Sequence, residues 1–499
     1  MGASGAEANA RSVLLGLGFS QESIEQPISR LSGGWKTRCS LASALCQSAD
    51  LLLLDEPTNF LDLPSIIWLE HYIQNLPPTV TVLVVSHDRA FVDAVADELL
   101  VMRHLTLERF RGNLSAYELQ RMKKYKYMTR MKEANDKQKK HIQQTIDHNV
   151  KAAKQKGDDK KLKQAASRKK KLDDRMGVEV SAKGGRFKLN RDLAGYHLTA
   201  RAEIEIPDFD PPVRFTIPTK PSDLRFPGAL VSFEKVNFGY RVGKTRKPIL
   251  KDVDLTIHMG DRVGIAGMNG SGKTTLVSLA MSGMEGSSSA LKPVSGTITR
   301  HTRARFGLYS QQAVEELATL AADKPELTAL SHLMAHSGDE LDEKGGRTLL
   351  SSVGLTGKTV SDVPIALLSG GQKARLALAK LLWTPPHLLI LDEVTTHLDT
   401  DTIDALVYAL RKFEGAILVV THDRFFMRCI VEGESPKDIA RSSRPDDDDG
   451  SDSSGEDSDE DGRPGVVYRL SKGAFKKLEG GMLRYEELAA KASTKMGKA

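Results

Sequence analysis

Residues 262–274 read RVGIAGMNGSGKT, and the fold is decided by this stretch. The strand-like run Arg262–Ala266 leads into GMNGSGKT at 267–274, a match to G-x-x-x-x-G-K-[ST], and an apolar helical run begins at Thr275. A strand, a glycine-rich loop and a helix start, in that order, aim backbone N–H groups and the positive helix end at phosphates. Gly267, Gly270 and Gly272 keep Cβ atoms out of the way, and Asn269, Ser271 and Thr275 complete the nucleotide-binding set. Lys273 supplies a mobile charge for the outer phosphates, and Thr274 offers a hydroxyl to Mg²⁺. A ligand-free glycine turn is the plainer reading, and the flanking strand and helix argue against it.

Working outward, LSGGQ stands at 368–372, LLILDE at 388–393, VTTHLD at 394–399 and VVTHD at 419–423. The same string occurs earlier as LSGGW at 31–35, LLLLDE at 51–56, PTNFLD at 57–62 and VVSHD at 84–88. Ser to Asp is 23 residues in both copies (32 to 55, 369 to 392), and Asp to His is 32 and 30 residues. Such a repeat marks two copies of one structural unit. Asp392 ends an apolar strand and suits a Mg²⁺-linked position, while Glu393 can polarise a water for attack on a γ-phosphate. His422 ends another apolar strand; alone it reads as structural, but its echo at His87 favours function. Gln311, in FGLYSQQ, is a candidate for the metal or the attacking water, with Gln312 the competing assignment. Tyr240, 27 residues before Gly267, is a candidate to stack on adenine, with Phe238 its rival and a core role open for both. In each LSGG the serine hydroxyl and the glycine N–H groups suit a phosphate at a helix start.

Lys273 precedes Ser369 by 96 residues, whereas only 31 residues precede Ser32. That leaves no room for a first phosphate loop, so the expectation is a fragment, a gene-model error or a lost half-unit. No apolar stretch reaches the roughly 18–20 residues of a membrane-spanning helix. The N-terminus has no signal-peptide pattern. Three cysteines without metal-ligand spacing fit a reducing, cytoplasmic setting.

The net charge of +6 hides an asymmetry. Residues 121–175 hold 20 Lys/Arg against 7 Asp/Glu, and residues 445–462 hold ten acids and no base. The first reads as a basic helical hairpin turning at Gly157-Asp158-Asp159, with Ile142, Ile146 and Val150 on one seam and Met122, Tyr125 and Met128 on another. A solvated face is the plainer reading of its charge; the excess favours phosphate contact and structured RNA. The second reads as a disordered insertion at about 434–464. The expected domains are 1–113, a back half-unit; 114–186, the basic linker; 187–229, an extended lead-in; and 230–491, a complete unit carrying the insertion.

Phosphate loop, LSGGQ, LLILDE and terminal His together resemble an ATP-binding-cassette nucleotide-binding domain. Two such units, a basic linker, LSGGW, PTNFLD and the closing GAFKKLEGGMLRYEEL resemble the ABC-F family. The resemblance implies an α/β fold of the P-loop NTPase class, one cassette partial and one complete, joined by an α-helical hairpin. It implies ATPase activity with ATP and Mg²⁺. It also implies head-to-tail pairing, in which Ser32, Gly33 and Gly34 face the loop Gly267–Thr274. Ser369, Gly370, Gly371, Asp55, Glu56 and His87 would form the second site, which lacks its phosphate loop here, so one competent site is expected. The family's linker reaches into the ribosome towards transfer RNA, which implies a ribosomal or structured-RNA partner for 121–175. The readings left beside it are the ATP-binding subunit of a membrane transporter and a hydrolysis-impaired regulator. Val394 and Thr396 depart from the Pro and Asn of the family's turn, present here as Pro57 and Asn59.

Overall fold

The computed structural model describes residues 3–103, 105–156, 215–242, 245–283, 291–310, 312–338, 341–436 and 462–496, with a few single positions between them. The chain divides into two compact units, Met1–Asp97 with Pro212–Ala499, and Glu98–Pro211. The division falls at Asp97 rather than at 113, because the strands after it pair only with each other.

The first unit opens with α1 (Ala3–Gly16), the single turn α2 (Gln21–Ile24) and α3 (Gly33–Leu45). β1 (Leu51–Asp55) and β2 (Thr81–Val85) pair in parallel, joined through α4 (Leu63–Gln74), and α5 (Arg89–Val95) follows with Asp88 capping its N-terminus. In the second unit, β3 (Glu98–Arg103) and β4 (Thr106–Arg111) form an antiparallel hairpin, pinned by two Arg109 hydrogen bonds to Glu98. It leads into α6 (Leu114–Lys156), a single helix of 43 residues whose start is capped by Asn113. α6 is the first arm of the expected hairpin. The turn at 157–159 lies outside the described residues, as do nearly all of the second arm and residues 187–214. Of the two expected seams, Ile146 is buried, whereas Met122 and Tyr125 are exposed.

The first unit resumes with residues 215–230, which run without helix or strand but bury Phe215 and Ile217 in the main core. β5 (Val231–Val242) and β6 (Thr245–Ile257) form a long antiparallel pair before β7 (Arg262–Ala266), α7 (Lys273–Met281), β8 (Ser295–Arg300) and β9 (Phe306–Tyr309). A helical layer follows: α8 (Ala313–Asp323), α9 (Ala329–Ser337), α10 (Glu343–Ser352), the short α11 (Lys358–Ser361) and α12 (Gly370–Leu382). β10 (Leu388–Asp392), α13 (Thr400–Arg411), β11 (Ala416–Val420), α14 (Arg424–Ile430), β12 (Val466–Ser471), β13 (Ala474–Lys477) and α15 (Gly481–Met496) close the fold. Nine strands form one sheet in the order β8-β5-β6-β13-β12-β7-β11-β10-β9, parallel from β12 through β9. A mostly parallel sheet covered by helices explains why β7, β10 and β11 are buried along their whole lengths. Most of the acidic insertion lies outside the described residues.

The repeat is preserved in register. Asp55 sits opposite Val85 in β1–β2, and Asp392 sits opposite Val420 in β10–β11. Their surroundings differ: Leu51, Leu53, Leu83 and Val85 are exposed, while their counterparts lie within the nine-stranded sheet.

α4 joins the two halves of the repeat. Residues Leu63–Glu70 are all buried, a pattern expected only of a helix enclosed on every side. Leu63 and Ile67 enter the core of the second half, whereas Ile66, Leu69 and Ile73 enter that of the first. Two reciprocal ion pairs flank this packing: Arg89 to Asp404 at 2.8 Å, and Arg424 to Glu70 at 2.6 Å. The second is the more buried, so loss of one partner leaves a desolvated charge. Arg424→Ala is expected to destabilise the chain by about 3 kcal/mol, and Glu70→Leu/Arg424→Leu by clearly less. Urea unfolding followed by circular dichroism checks the order of the two.

Candidate nucleotide-binding site

The site is built on β7, an interior strand between β12 and β11. At its end the chain needs room that only glycine leaves. A Cβ on Gly267 would stand 2.5 Å from the Leu470 carbonyl oxygen, and one on Gly272, at φ 106°, 2.7 Å from Ile249. α7 starts at Lys273 without a side-chain cap, so its first N–H groups are left for a ligand. Lys273 is buried, and its Nζ donates to the Gly267 carbonyl at 2.6 Å and lies 3.0 Å from His422 Nε2. The Ser271 hydroxyl is buried with no hydrogen-bond partner among the described residues. The Thr274 hydroxyl bonds Asp392. A hydroxyl and a carboxylate held together beside a phosphate cradle suit an oxygen-seeking Mg²⁺ that keeps several waters. An orphaned hydroxyl, a cradle that a Cβ would fill and this donor pair all fit Mg-nucleotide.

The opposite wall comes from β10 and β11. Glu393 follows Asp392 with φ 52°, a left-handed conformation unusual for a non-glycine residue and one that clusters at functional sites. Its N–H donates to the Val420 carbonyl at 2.8 Å. Glu56 repeats both features, with φ 45° and a bond to Val85. Burial pushes the Glu393 carboxyl up to about 7 against the pull of Lys273. It pushes Asp392 up to about 6, opposed by Lys273 and by the Thr274 hydroxyl. Burial, reinforced by Lys273, holds His422 well below the ordinary imidazole range, so it is neutral. Its Nε2 lies 3.2 Å from Asn269 Oδ1 and 3.7 Å from Glu393. One tautomer donates from Nε2 to Asn269; the other accepts from Lys273.

The third wall comes from the first half of the repeat. Ser32, Gly33 and Gly34, at the start of α3, line the same cavity of about 710 Å³ as Asn269, Gly270 and Lys273. That volume suits a nucleotide-sized ligand. The turn before α4 touches the phosphate loop directly. Asn269 N donates to Asp62 Oδ2 at 3.1 Å, and Asn269 Nδ2 to the Phe60 carbonyl at 2.9 Å. Phe60 is itself left-handed, at φ 64°. Burial pushes the Asp62 carboxyl up, but Arg38, His422 and hydrogen bonds from Ser65 and Asn269 outweigh it and hold the group low.

Of the residues singled out from sequence, Thr274, Thr275, Asp392, Glu393, His422 and Tyr240 line this cavity together with the signature residues. Gly267 and Ser271 lie beneath the lining. Tyr240 is exposed, bonds the Thr275 hydroxyl at 3.2 Å and stands edge-on to Phe238, which is buried in the core. Gln311 lies outside the described residues, and Gln312 lines the cavity. Sequence reading missed Phe60, Asp62 and Arg38. The one available signal was the matched pairs Arg38/Arg375 and Asp62/Asp399 within the repeat. Thr396, where an Asn was expected, closes its turn by donating to the Glu393 carbonyl at 2.9 Å.

Two family models, both described as ABC transporter, match residues 5–59 with 250–396, and 101–188. Probable ATP-binding protein YheS of Escherichia coli O6:H1 is 36% identical over 426 residues, covering 85% of this chain and 58% of that protein. Protein GCN20 of Saccharomyces cerevisiae is 36% identical over 428 residues, covering 84% of this chain and 48% of its own length. ATP-binding cassette sub-family F member 3 of Mus musculus is 32% identical over 431 residues, covering 86% of this chain and 53% of the relative. The chain thus spans about half to three-fifths of the length of these curated relatives. With a phosphate loop, a signature serine from the other half of a repeat and the paired carboxylates in one cavity, the chain belongs to the ABC-F family of ATP-binding-cassette proteins.

Proposed function

We propose that this chain binds ATP in the composite cavity, hydrolyses it with Glu393 as general base, and uses the opening and closing of the two halves to act on the ribosome through the basic helix α6. The observation that carries the reading is the contact of Phe60 and Asp62 with Asn269. It brings a signature helix from one half over the phosphate loop of the other, so a nucleotide would touch both halves at once.

Lys273 exchanges its internal partners, the Gly267 carbonyl and His422, for phosphate oxygens. Thr274 and Asp392 hold the metal side, with Gln311 the further candidate there, and Mg²⁺ when bound supplies charge neutralisation across the outer phosphates. Glu393, partly enclosed and at the cavity wall, orients and deprotonates the attacking water. Neutral His422, 3.7 Å from it, holds the far side of the γ-phosphate position. The N–H groups and hydroxyl at Ser32–Gly34 close over the same phosphate. Tyr240 presents its exposed ring for adenine. α6 carries twelve Lys/Arg against four Asp/Glu along 43 residues. A long basic helix suits the backbone and grooves of structured RNA. Among the described residues, no helix is long and apolar enough to cross a membrane.

Lys273→Ala is expected to weaken ATP binding by about 3 kcal/mol, roughly 100-fold, measured by titration calorimetry. Glu393→Gln should lower kcat by at least ~10²-fold while ATP affinity stays within about threefold. A Gln variant that still turns over at the parent rate removes Glu393 from the mechanism.

Co-sedimentation with ribosomes tests the partner. Glu393→Gln should bind in an ATP-dependent way at moderate salt. Changing Lys123, Lys124, Lys126 and Arg130 to Gln should flatten the slope of log affinity against log salt by about 0.7–0.9 for each phosphate no longer neutralised. Binding that ignores both ATP and these charges sinks the ribosomal reading and leaves the ATPase.

A further inference from the structure

The two signatures differ in a way that the repeat exposes. At the start of α12, the Ser369 hydroxyl accepts from Gln372 N at 3.2 Å and Gln372 Oε1 accepts from Ser369 N at 2.9 Å, a reciprocal capping box. That box occupies the serine oxygen. At the start of α3, Ser32 has the same extended backbone, φ −67° and ψ 166°, yet makes no side-chain cap. The residue three positions on is Trp35, which has no acceptor to return the bond. The Ser32 hydroxyl is therefore left to the cavity that it lines.

Trp35 has a second consequence. Its ring meets Phe19 edge-on at 4.8 Å, and the Arg38 guanidinium lies 4.6 Å over its face. Arg38 is buried and spends its donors on carbonyls: Leu17 at 2.8 Å, and Phe60 at 2.6 and 3.1 Å. The Phe60 carbonyl is the same oxygen that accepts from Asn269 Nδ2. Arg375, the equivalent of Arg38, instead pairs with Asp399 and bonds Thr402 within its own half. Asp399 is thus held at home, whereas its equivalent Asp62 offers an oxygen to Asn269 of the phosphate loop.

We propose that Trp35, packed on Arg38, is a positioning residue that makes the first signature the phosphate-facing one: it leaves the Ser32 hydroxyl uncapped and fixes the Phe60–Asp62 turn on Asn269. The part concerning catalysis rests on the ATPase reading above; the part concerning the turn does not.

The test replaces Trp35 by Gln, which rebuilds the S-x-x-Q box, and by Phe, which keeps an aromatic face for Arg38 and adds no acceptor. Without nucleotide, hydrogen–deuterium exchange of peptides covering 267–272 should speed up at least tenfold in Trp35→Gln and stay near the parent in Trp35→Phe. With ATP, Trp35→Gln should lower kcat at least tenfold with KM changed less than threefold, and Trp35→Phe should recover most of the rate. Combined with Ser32→Ala, the Gln substitution should cost less than threefold further, because the hydroxyl it captures is already gone. Exchange and kcat both at parent levels in Trp35→Gln overturn the proposal. So does an undiminished effect in the Ser32→Ala background, or a Phe variant as impaired as Gln. A parent chain that hydrolyses no more ATP than Glu393→Gln overturns the ATPase reading instead, and the exchange measurement alone then decides the positioning role.

Discussion

The Phe60 carbonyl oxygen takes hydrogen bonds from Arg38 below and Asn269 across, and the site depends on that junction. A carbonyl has two lone pairs, so an oxygen shared by a buried guanidinium and a loop amide is locked in direction. Phe60 must adopt a left-handed backbone to aim it, a strain maintained only when the surroundings over-determine the turn. The enclosure of α4 between two cores supplies that determination, because Leu63 and Ile67 on one side and Ile66 and Leu69 on the other leave the helix no freedom to shift.

From this junction the site's electrostatics follow. Lys273 is a single buried ammonium facing Glu393, Asp392 and Asp62, with neutral His422 at hydrogen-bond distance. Burial raises the two carboxyls on β10 and lowers the lysine, so each charged group depends on the others for its ionisation. Such a cluster is poised for a polyanion and a cation that would satisfy it together. Arg424 with Glu70 and Arg89 with Asp404 tie the same faces a few residues away, immediately after His422-Asp423 and His87-Asp88. The halves are thus coupled beside the residues expected to sense the nucleotide.

The repeat is symmetric in its local plan and asymmetric in its contacts. Both copies carry a left-handed glutamate after the apolar strand, a matched parallel register and an Asp cap after the His. They differ at Trp35 against Gln372, at the partners of Arg38 and Arg375, and in the cover over β1–β2. One residue at the third helical position redirects a serine hydroxyl, an arginine and an aspartate. A sequence comparison of the two LSGG elements registers this as one substitution.

Local chemistry was legible in the amino-acid order. Strand–loop–helix geometry at 262–281, the carboxylate pair at 392–393, the parallel strands and the twofold repeat follow from spacing and periodicity, because each is determined by neighbours within a few tens of residues. The order could not assign Tyr240 over Phe238, since both lie on β5; only burial separates a core ring from an exposed one. Nor could it assign Phe60, Asp62 or Arg38, whose partners stand 22 to 209 residues away and are set by which half packs on which. Motif chemistry is encoded locally by residue type, whereas the trans contact that completes the site exists only when α4 is buried between two cores.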